Sequence, residues 1–285
     1  MRSRGEIGME DWQRRVHAYY SRMWVDRCTS NRWSEPSPWL EWYELNWRIN
    51  VEYWSELIAA LAPRGRNLLE CGAATGRLPA HLAARGWHCT LIDITREGPL
   101  LARSRFRTEG VSGMFATADV VRLPFADDTF DVVTSHGLLD LMPDITSPIR
   151  EMCRVLKPGG LFASSFYPRR LSVQSLADNG LRIARIIGRM LPGRRFGTEG
   201  GASGIVRNSF PLREYLRACG EAGLTNLVGK GIWPLPAVVL PEPLMRAYLS
   251  LSRKLEPQWV AFNRSRSPWT ARWGSMLAVH GIKAT

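Results

Sequence analysis

The stretch "LLECGAATGRLPAHLAARG", Leu68 to Gly86, decides the fold. An apolar run carries an acidic residue near its end, Glu70, and passes into Gly72, Ala73, Ala74, Thr75 and Gly76, the pattern of a buried strand turning tightly into a helix. Leu78, Leu82 and Ala83 recur at helical spacing, and Gly86 stands where a C-terminal cap belongs. Small residues in such a turn let backbone N–H groups approach a ligand, and the helix N-terminus adds partial positive charge. Dinucleotides, nucleoside triphosphates and phosphate-free nucleosides all use this device. Spacing separates them. A dinucleotide fingerprint wants glycines where the chain has Gly72, Ala74 and Arg77, and a P-loop wants Gly-Lys-Ser/Thr near Arg77-Leu78-Pro79. Both fail. What remains is a ligand with a positive charge, facing Glu70, beside a nucleoside.

The segments that follow extend this reading. "WHCTLID", Trp87 to Asp93, reads as the next strand, ending on a carboxylate placed to accept from both hydroxyls of a ribose. "FATAD" closes on Asp119, placed to accept from an adenine amino group. Then come "RLPFADDTFDVVTSHGLLDLMPD" and "REMCRVLKPGGLFASSF". Strands are expected over 67–71, 87–93, 112–118, 131–135 and 161–166, with helices between. Later, "LREYLRACGEAGL" and "LPEPLMRAYLSLSRKLE" read as helices, "TNLVGKGIW" and "GSMLAVHGIK" as strands. Such alternation builds a parallel sheet that binds its ligand beyond the strand C-terminal ends.

Taken together, these segments resemble the class I S-adenosylmethionine-dependent methyltransferases, strongly from Asn67 to Phe166 and more weakly from Phe210 to Trp233. The resemblance implies an α/β fold: a Rossmann-like, seven-stranded, mostly parallel sheet with an antiparallel last strand. A helical aromatic cap over 1–62 would precede the methyltransferase domain at 63–285, with an Arg-rich insertion at 168–210 after the fifth strand. It assigns Glu70, Gly72, Ala73, Ala74 and Gly76 to the methionine part of S-adenosylmethionine, Asp93 to the ribose, and Asp119 with Val120 to the adenine, and it places Ile94 among the cofactor-binding residues. Ser135 and Tyr19 complete that set. Two residues depart from the usual pattern: Ala74 stands where a glycine is customary, and Glu70 where Asp is commoner.

Because the donor's methyl group is already activated, alignment and water exclusion matter more than a strong base. The loop "TSHGLLDLMPD" faces the donor in this family, so His136 is a candidate to take a proton, Asp140 to orient an amine, and Tyr20 to close over the donor. The alternatives are a histidine that only positions its loop and tyrosines that only pack.

Composition bounds the rest. The formal charge is +12, and only Lys157, Lys230, Lys254 and Lys283 among 38 basic residues are not arginine. Nine arginines lie between Arg169 and Arg213 against Asp178 and Glu199. Within them Arg182, Arg185 and Arg189 would share one helix face, suited to a carboxylate or phosphate on the substrate. Cys28, Cys71, Cys89, Cys153 and Cys219 show no CxxC pair, and no metal-ligand spacing stands out. No run approaches about 20 apolar residues and the start "MRSRGEIGMEDWQRR" lacks an apolar signal core, so a cytoplasmic protein without a membrane span is expected.

Seven of the 12 tryptophans precede Ala62, and Trp39, Tyr43, Trp47, Val51, Trp54, Ile58 and Leu61 form one helical stripe. That surface packs on the main domain, walls the substrate, or makes a homodimer contact. Basic charge raises RNA as a rival substrate, but no Asp/Asn-Pro-Pro-aromatic motif or RNA-binding module is visible, and no specific nucleic acid partner is expected. The expected function is methyl transfer to an O, N or C atom of a small metabolite, in secondary-metabolite biosynthesis. The alternatives are an RNA methyltransferase and a catalytically degenerate cofactor-binding protein.

Overall fold

The computed structural model describes residues 9–29, 35–62, 65–167, 180, 207, 208 and 210–285. Its strands are β1 (Asn67–Cys71), β2 (His88–Asp93), β3 (Met114–Thr117), β4 (Phe130–His136), β5 (Leu156–Phe166), β6 (Leu224–Ile232) and β7 (Met276–Lys283). Its helices are α1 (Met9–Thr29), α2 (Pro38–Leu61), α3 (Arg77–Ala83), α4 (Glu97–Thr108), α5 (Thr146–Val155), α6 (Leu212–Glu221), α7 (Glu242–Lys254), α8 (Glu256–Arg264) and α9 (Thr270–Trp273). The strands form one sheet in the order β3-β2-β1-β4-β5-β7-β6. β1 through β5 pair in parallel, while β7 lies antiparallel to both β5 and β6. The expected seven-stranded architecture is present; the antiparallel strand is inserted beside β5, and β6 takes the edge. Strand order reverses between the neighbours β1 and β4, which opens the crevice where open α/β sheets bind ligands.

Alternation along the strands sends neighbouring residues to two separate apolar layers. Leu68, Val132, Leu161 and Ala163 join one layer with α2 and α3, and Leu69, Val133 and Phe162 join the other with α5 and α6. A sheet covered on both faces explains why its central strands read as near-continuous apolar runs. β5 begins earlier than the sequence suggests. Leu156 already pairs with Phe130, and Gly159, at φ +74°, lies in the irregular stretch before Leu161 rejoins Val132.

Ser37 caps α2 by accepting from Leu40 N at 3.2 Å, and Pro38 occupies the first helical position. The aromatic stripe divides: Val51, Trp54 and Ile58 are buried, Tyr43 and Trp47 are half-buried, and Leu61 at the helix end is exposed. A second buried face, not evident in that stripe, carries Trp42, Ile49 and Tyr53; Trp42 Nε1 donates to Ser252 Oγ of α7 at 3.1 Å. Thus α2 is buried on two sides, partly as core and partly as a wall. Cys71, Cys89, Cys153 and Cys219 are buried and unbridged, with burial pushing their thiols up. Arg182, Arg185 and Arg189 lie outside the described residues. No helix among the described residues is long and apolar enough to cross a membrane.

Candidate functional site

A cavity of about 300 Å³ opens at the C-terminal ends of β1, β2 and β4, under α1 and α2. Its floor starts at the turn after β1. Gly72 and Gly76 take φ values of +72° and +61°, and Ala74 takes +45°, a left-handed conformation that costs a residue with a Cβ roughly 1–2 kcal/mol. Gly76 is required on packing grounds as well: a Cβ there would lie 2.8 Å from Leu91 Cδ2 and 3.1 Å from Ala102 Cβ. The turn is pinned to the next strand, with Gly72 N and Ala73 N both donating to Ile92 O at 2.9 Å.

Three carboxylates converge on this floor. Glu70 is buried, held by the Thr134 hydroxyl at 3.3 Å, and desolvation pushes its carboxyl up to about 8 against that single hydrogen bond. The carboxyl therefore retains its proton through neutral pH, and a cationic group placed beside Glu70 would release it. The linkage sign follows. Between its ordinary 4.5 and about 8, the folded chain binds more protons at Glu70 than the unfolded chain does. Stability contributed at this site is present below that window and lost as pH rises through it. Glu70→Gln is thus expected to gain stability over the parent as pH rises from about 5 to about 9, while losing affinity for a cationic ligand. Urea unfolding at both pH values measures this; parallel pH dependences in the two proteins would discard the assignment.

Asp93 is held more firmly. Its Oδ1 accepts from Thr95 N at 2.9 Å and Thr95 Oγ1 at 2.8 Å, and Oδ2 accepts from Ala74 N at 3.4 Å. Burial raises its pKa and these bonds oppose the rise. Gly98 makes the room: a Cβ there would sit 2.7 Å from Asp93 Cγ. Asp119, just past β3, accepts from Val121 N at 3.1 Å, and Ile94, Ala118 and Val120 line the cavity beside it.

The opposite wall is aromatic. Tyr19, Tyr20, Met23 and Trp24 come from α1, Tyr43 and Trp47 from α2, and Tyr167 from the end of β5. Burial raises the Tyr20 hydroxyl pKa, so it faces the cavity as a neutral group. His136 joins this wall. Its ring lies 4.8 Å from the Trp54 ring, Nδ1 is 2.9 Å from Ser165 Oγ, and Nε2 is buried without a partner among the described residues. Desolvation lowers its pKa to about 3, so the imidazole is neutral.

Most of the residues singled out from sequence line this one cavity: Glu70, Gly72, Ala73, Ala74, Gly76, Asp93, Ile94, Asp119, Val120, His136, Tyr19 and Tyr20. Ser135 and Asp140 do not. Ser135 Oγ is fully buried against Ser164 Oγ at 2.9 Å. Asp140, fully buried in the 3-10 turn Leu139–Leu141, is ion-paired with Arg207, so it holds a wall residue where an amine-orienting role was expected. Sequence reasoning missed Arg77, and it counted Arg207 only as one of the nine arginines from Arg169 to Arg213 without singling it out. Arg77 donates to both Glu44 oxygens at 2.5 Å and lies 5.2 Å from the Tyr43 ring centre; Arg207 lies over Tyr167 at 4.4 Å. The first residue of the helix after Gly76 faces the ligand by position alone, and that placement was legible.

With this geometry in place, the chain matches known proteins. A methyltransferase domain family model matches residues 69–164. Methyltransferase GfsG of Streptomyces halstedii is 31% identical over 162 residues, covering 55% of this chain and 56% of that protein. The ubiquinone biosynthesis O-methyltransferase of Xanthomonas axonopodis pv. citri is 33% identical, covering 57% and 66%. The demethylmenaquinone methyltransferase of Corynebacterium urealyticum is 42% identical over 104 residues, covering 36% and 42%. The chain spans about half the length of the curated relatives it matches. Among solved structures, a Haemonchus contortus phosphoethanolamine N-methyltransferase 2 aligns with TM-score 0.53 at 15% identity, over 82% of this chain and 52% of that one. A chain of the complex between the Haloferax volcanii Trm112 methyltransferase activator and a methyltransferase aligns with TM-score 0.51 at 17% identity, covering 82% and 89%. These two show the fold.

Proposed function

We propose that this chain, which belongs to the class I S-adenosylmethionine-dependent methyltransferases through the domain at residues 69–164, transfers a methyl group to a small aromatic metabolite in the cytoplasm. The observation that carries this reading is one cavity with a carboxylate-lined floor and an aromatic wall. The floor fits the cofactor: Glu70 is a buried carboxyl whose pKa desolvation raises, Asp93 is pre-oriented by Thr95, and Ala74 pays for a backbone shape that brings the turn close. In this assignment Glu70 and the 72–76 turn hold the amino-acid part, Asp93 the ribose, and Asp119 with Val120 the adenine. Bound there, the cofactor supplies a methyl group activated by its sulfonium.

The chain's own residues then bind, orient and exclude water. Tyr20, Trp24, Tyr43, Trp47 and Tyr167 line the cavity with aromatic rings, a lining that suits an aromatic acceptor. Both arginines of the wall already face carboxylates, Arg77 with Glu44 and Arg207 with Asp140, so the wall favours an uncharged ring over a polyanion. An acidic substituent was expected from Arg182, Arg185 and Arg189, residues outside the described set. Relatives named for ubiquinone and menaquinone biosynthesis support a ring substrate in a biosynthetic sequence. The cap and insertion boundaries, 1–62 and 168–210, remain part of the proposal.

Calorimetry tests the cofactor site. S-adenosylmethionine or its demethylated product is expected to bind at micromolar affinity, and Asp93→Ala to weaken binding by ~1–3 kcal/mol through lost hydrogen bonds to a charged group. Absence of heat or thermal shift with either compound would remove the cofactor assignment. Methyl incorporation into a panel of phenols and hydroquinones tests the acceptor class.

A further inference from the structure

The connection from α8 to β7 carries an apolar and basic surface that the cavity does not use. Trp269 is 65% exposed and Trp273 is 55% exposed, one helical turn apart at α9. Between and beside them Arg266, Pro268 and Arg272 are also exposed, and neither arginine makes an ion pair among the described residues. From Pro257 to Thr285 the sequence contains no Asp or Glu; of its four cations, Arg264 and Lys283 pair with Glu56 and Asp128 elsewhere, which leaves Arg266 and Arg272 at this surface. Two protruding indoles flanked by unpaired guanidiniums, on a stretch without negative charge, match the chemistry of an anionic bilayer surface. Indoles settle at the headgroup level, and arginines there gain from surface potential.

The surface is built rigidly. Lys230 Nζ binds the carbonyls of Asn263 and Ser265, the latter at 2.6 Å; Thr270 Oγ1 donates to Ser267 O at 2.8 Å; and Gly274 N donates to Thr270 O at 2.8 Å. α9 rests directly on the backbone at Gly231, where a Cβ would overlap Thr270 O. Such a scaffold holds the two indoles outward at little ordering cost on binding. It also places them at the C-terminal end of β6, the same end of the sheet as the cavity. Two residues past Gly231, Trp233 packs edge-on to Trp47 at 6.2 Å and tilted against Tyr167 at 6.3 Å, both cavity walls.

We propose that Trp269, Trp273, Arg266 and Arg272 dock this chain peripherally on an anionic lipid surface. Docking would set the cavity end of the sheet against the bilayer, where a lipophilic acceptor is concentrated. The docking itself does not depend on the methyl-transfer reading.

The test is co-sedimentation of the full chain with phosphatidylcholine vesicles, with and without phosphatidylglycerol. Binding is expected only with the anionic lipid. Trp269→Ala with Trp273→Ala, which leaves charge unchanged, is expected to weaken partitioning about tenfold or more, the equivalent of ~1.4 kcal/mol. Arg266→Gln and Arg272→Gln are each expected to weaken it about fivefold, for about 1 kcal/mol per cation at the surface. Because these side chains are exposed, thermal melting and calorimetric S-adenosylmethionine binding of the variants should match the parent, which separates this test from that of the cofactor site. No binding to anionic vesicles would overturn the proposal. So would a double Trp variant that partitions like the parent, since the overall positive charge would then suffice, or parent self-association that the Trp substitutions abolish.

Discussion

Deletion of residues 1–33 is expected to lower methyl transfer by more than about a hundredfold, ~2.7 kcal/mol in the barrier, while changing cofactor affinity by less than about tenfold, ~1.4 kcal/mol. The asymmetry comes from where the walls originate. Glu70, Asp93 and Asp119 stand on or just past β1, β2 and β3, and the turn proposed to cradle the donor lies between β1 and α3. α1 contributes Val16, Tyr19, Tyr20, Met23 and Trp24, which close the opposite side. Among the described residues, no α1 side chain belongs to either buried apolar layer, Trp24 being buried at the cavity instead, whereas α2 supplies Trp42, Trp54 and Ile58 to one of them. The deletion should therefore leave a folded domain with an open, wet cavity, in which reacting groups are no longer held in line or shielded. α1 packs against α4, with Ser21 Oγ donating to Glu97 at 3.0 Å. Single-turnover kinetics and calorimetry on the truncated chain decide. Folded protein with full turnover would reduce α1 to surface packing.

The same division explains what could be read from the sequence. The donor side is local: each carboxylate terminates or follows an apolar run, and the turn is spelled in consecutive small residues, so Glu70, Gly72, Ala74, Gly76, Asp93 and Asp119 could be found one segment at a time. The acceptor side is assembled from α1, α2, the β4 loop and Arg207, which are far apart in the chain and share no period. Asp140 shows the consequence. Its position after His136 suggested a role beside the donor, yet the 3-10 turn at Leu139–Leu141 buries it completely, and its partner is Arg207, 67 residues away. Gly98 was equally invisible, since only the folded chain shows that a side chain there would strike Asp93. The α2 stripe was legible as a period, but a helix buried on two faces has two overlapping periods, and the one through Trp42, Ile49 and Tyr53 was hidden by the other.

His136→Ala is expected to lower turnover by about a hundredfold, the lower end of what a proton-handling or orienting group provides, with a smaller effect on cofactor affinity. The imidazole stands at the end of β4 with Nδ1 tied to Ser165 Oγ at 2.9 Å and its ring tilted against Trp54, and Nε2 is the one ring nitrogen without a partner among the described residues. Burial holds its pKa at about 3, far below the pH at which a base of matched strength would work. A neutral ring in that setting would orient a hydroxyl or amine by hydrogen bonding, and the proton would leave with the acceptor's own change in acidity as the methyl bond forms. The pH profile separates the two roles. If His136 orients, kcat/KM of the parent shows no acid limb near the ordinary histidine range, and His136→Gln, which keeps a polar atom near Nε2, recovers part of the loss. A limb near pH 6.5 that disappears in His136→Gln would instead make it a titrating base, and turnover within about fivefold of the parent in His136→Ala, ~1 kcal/mol, would leave the histidine as a packing partner of Trp54 alone.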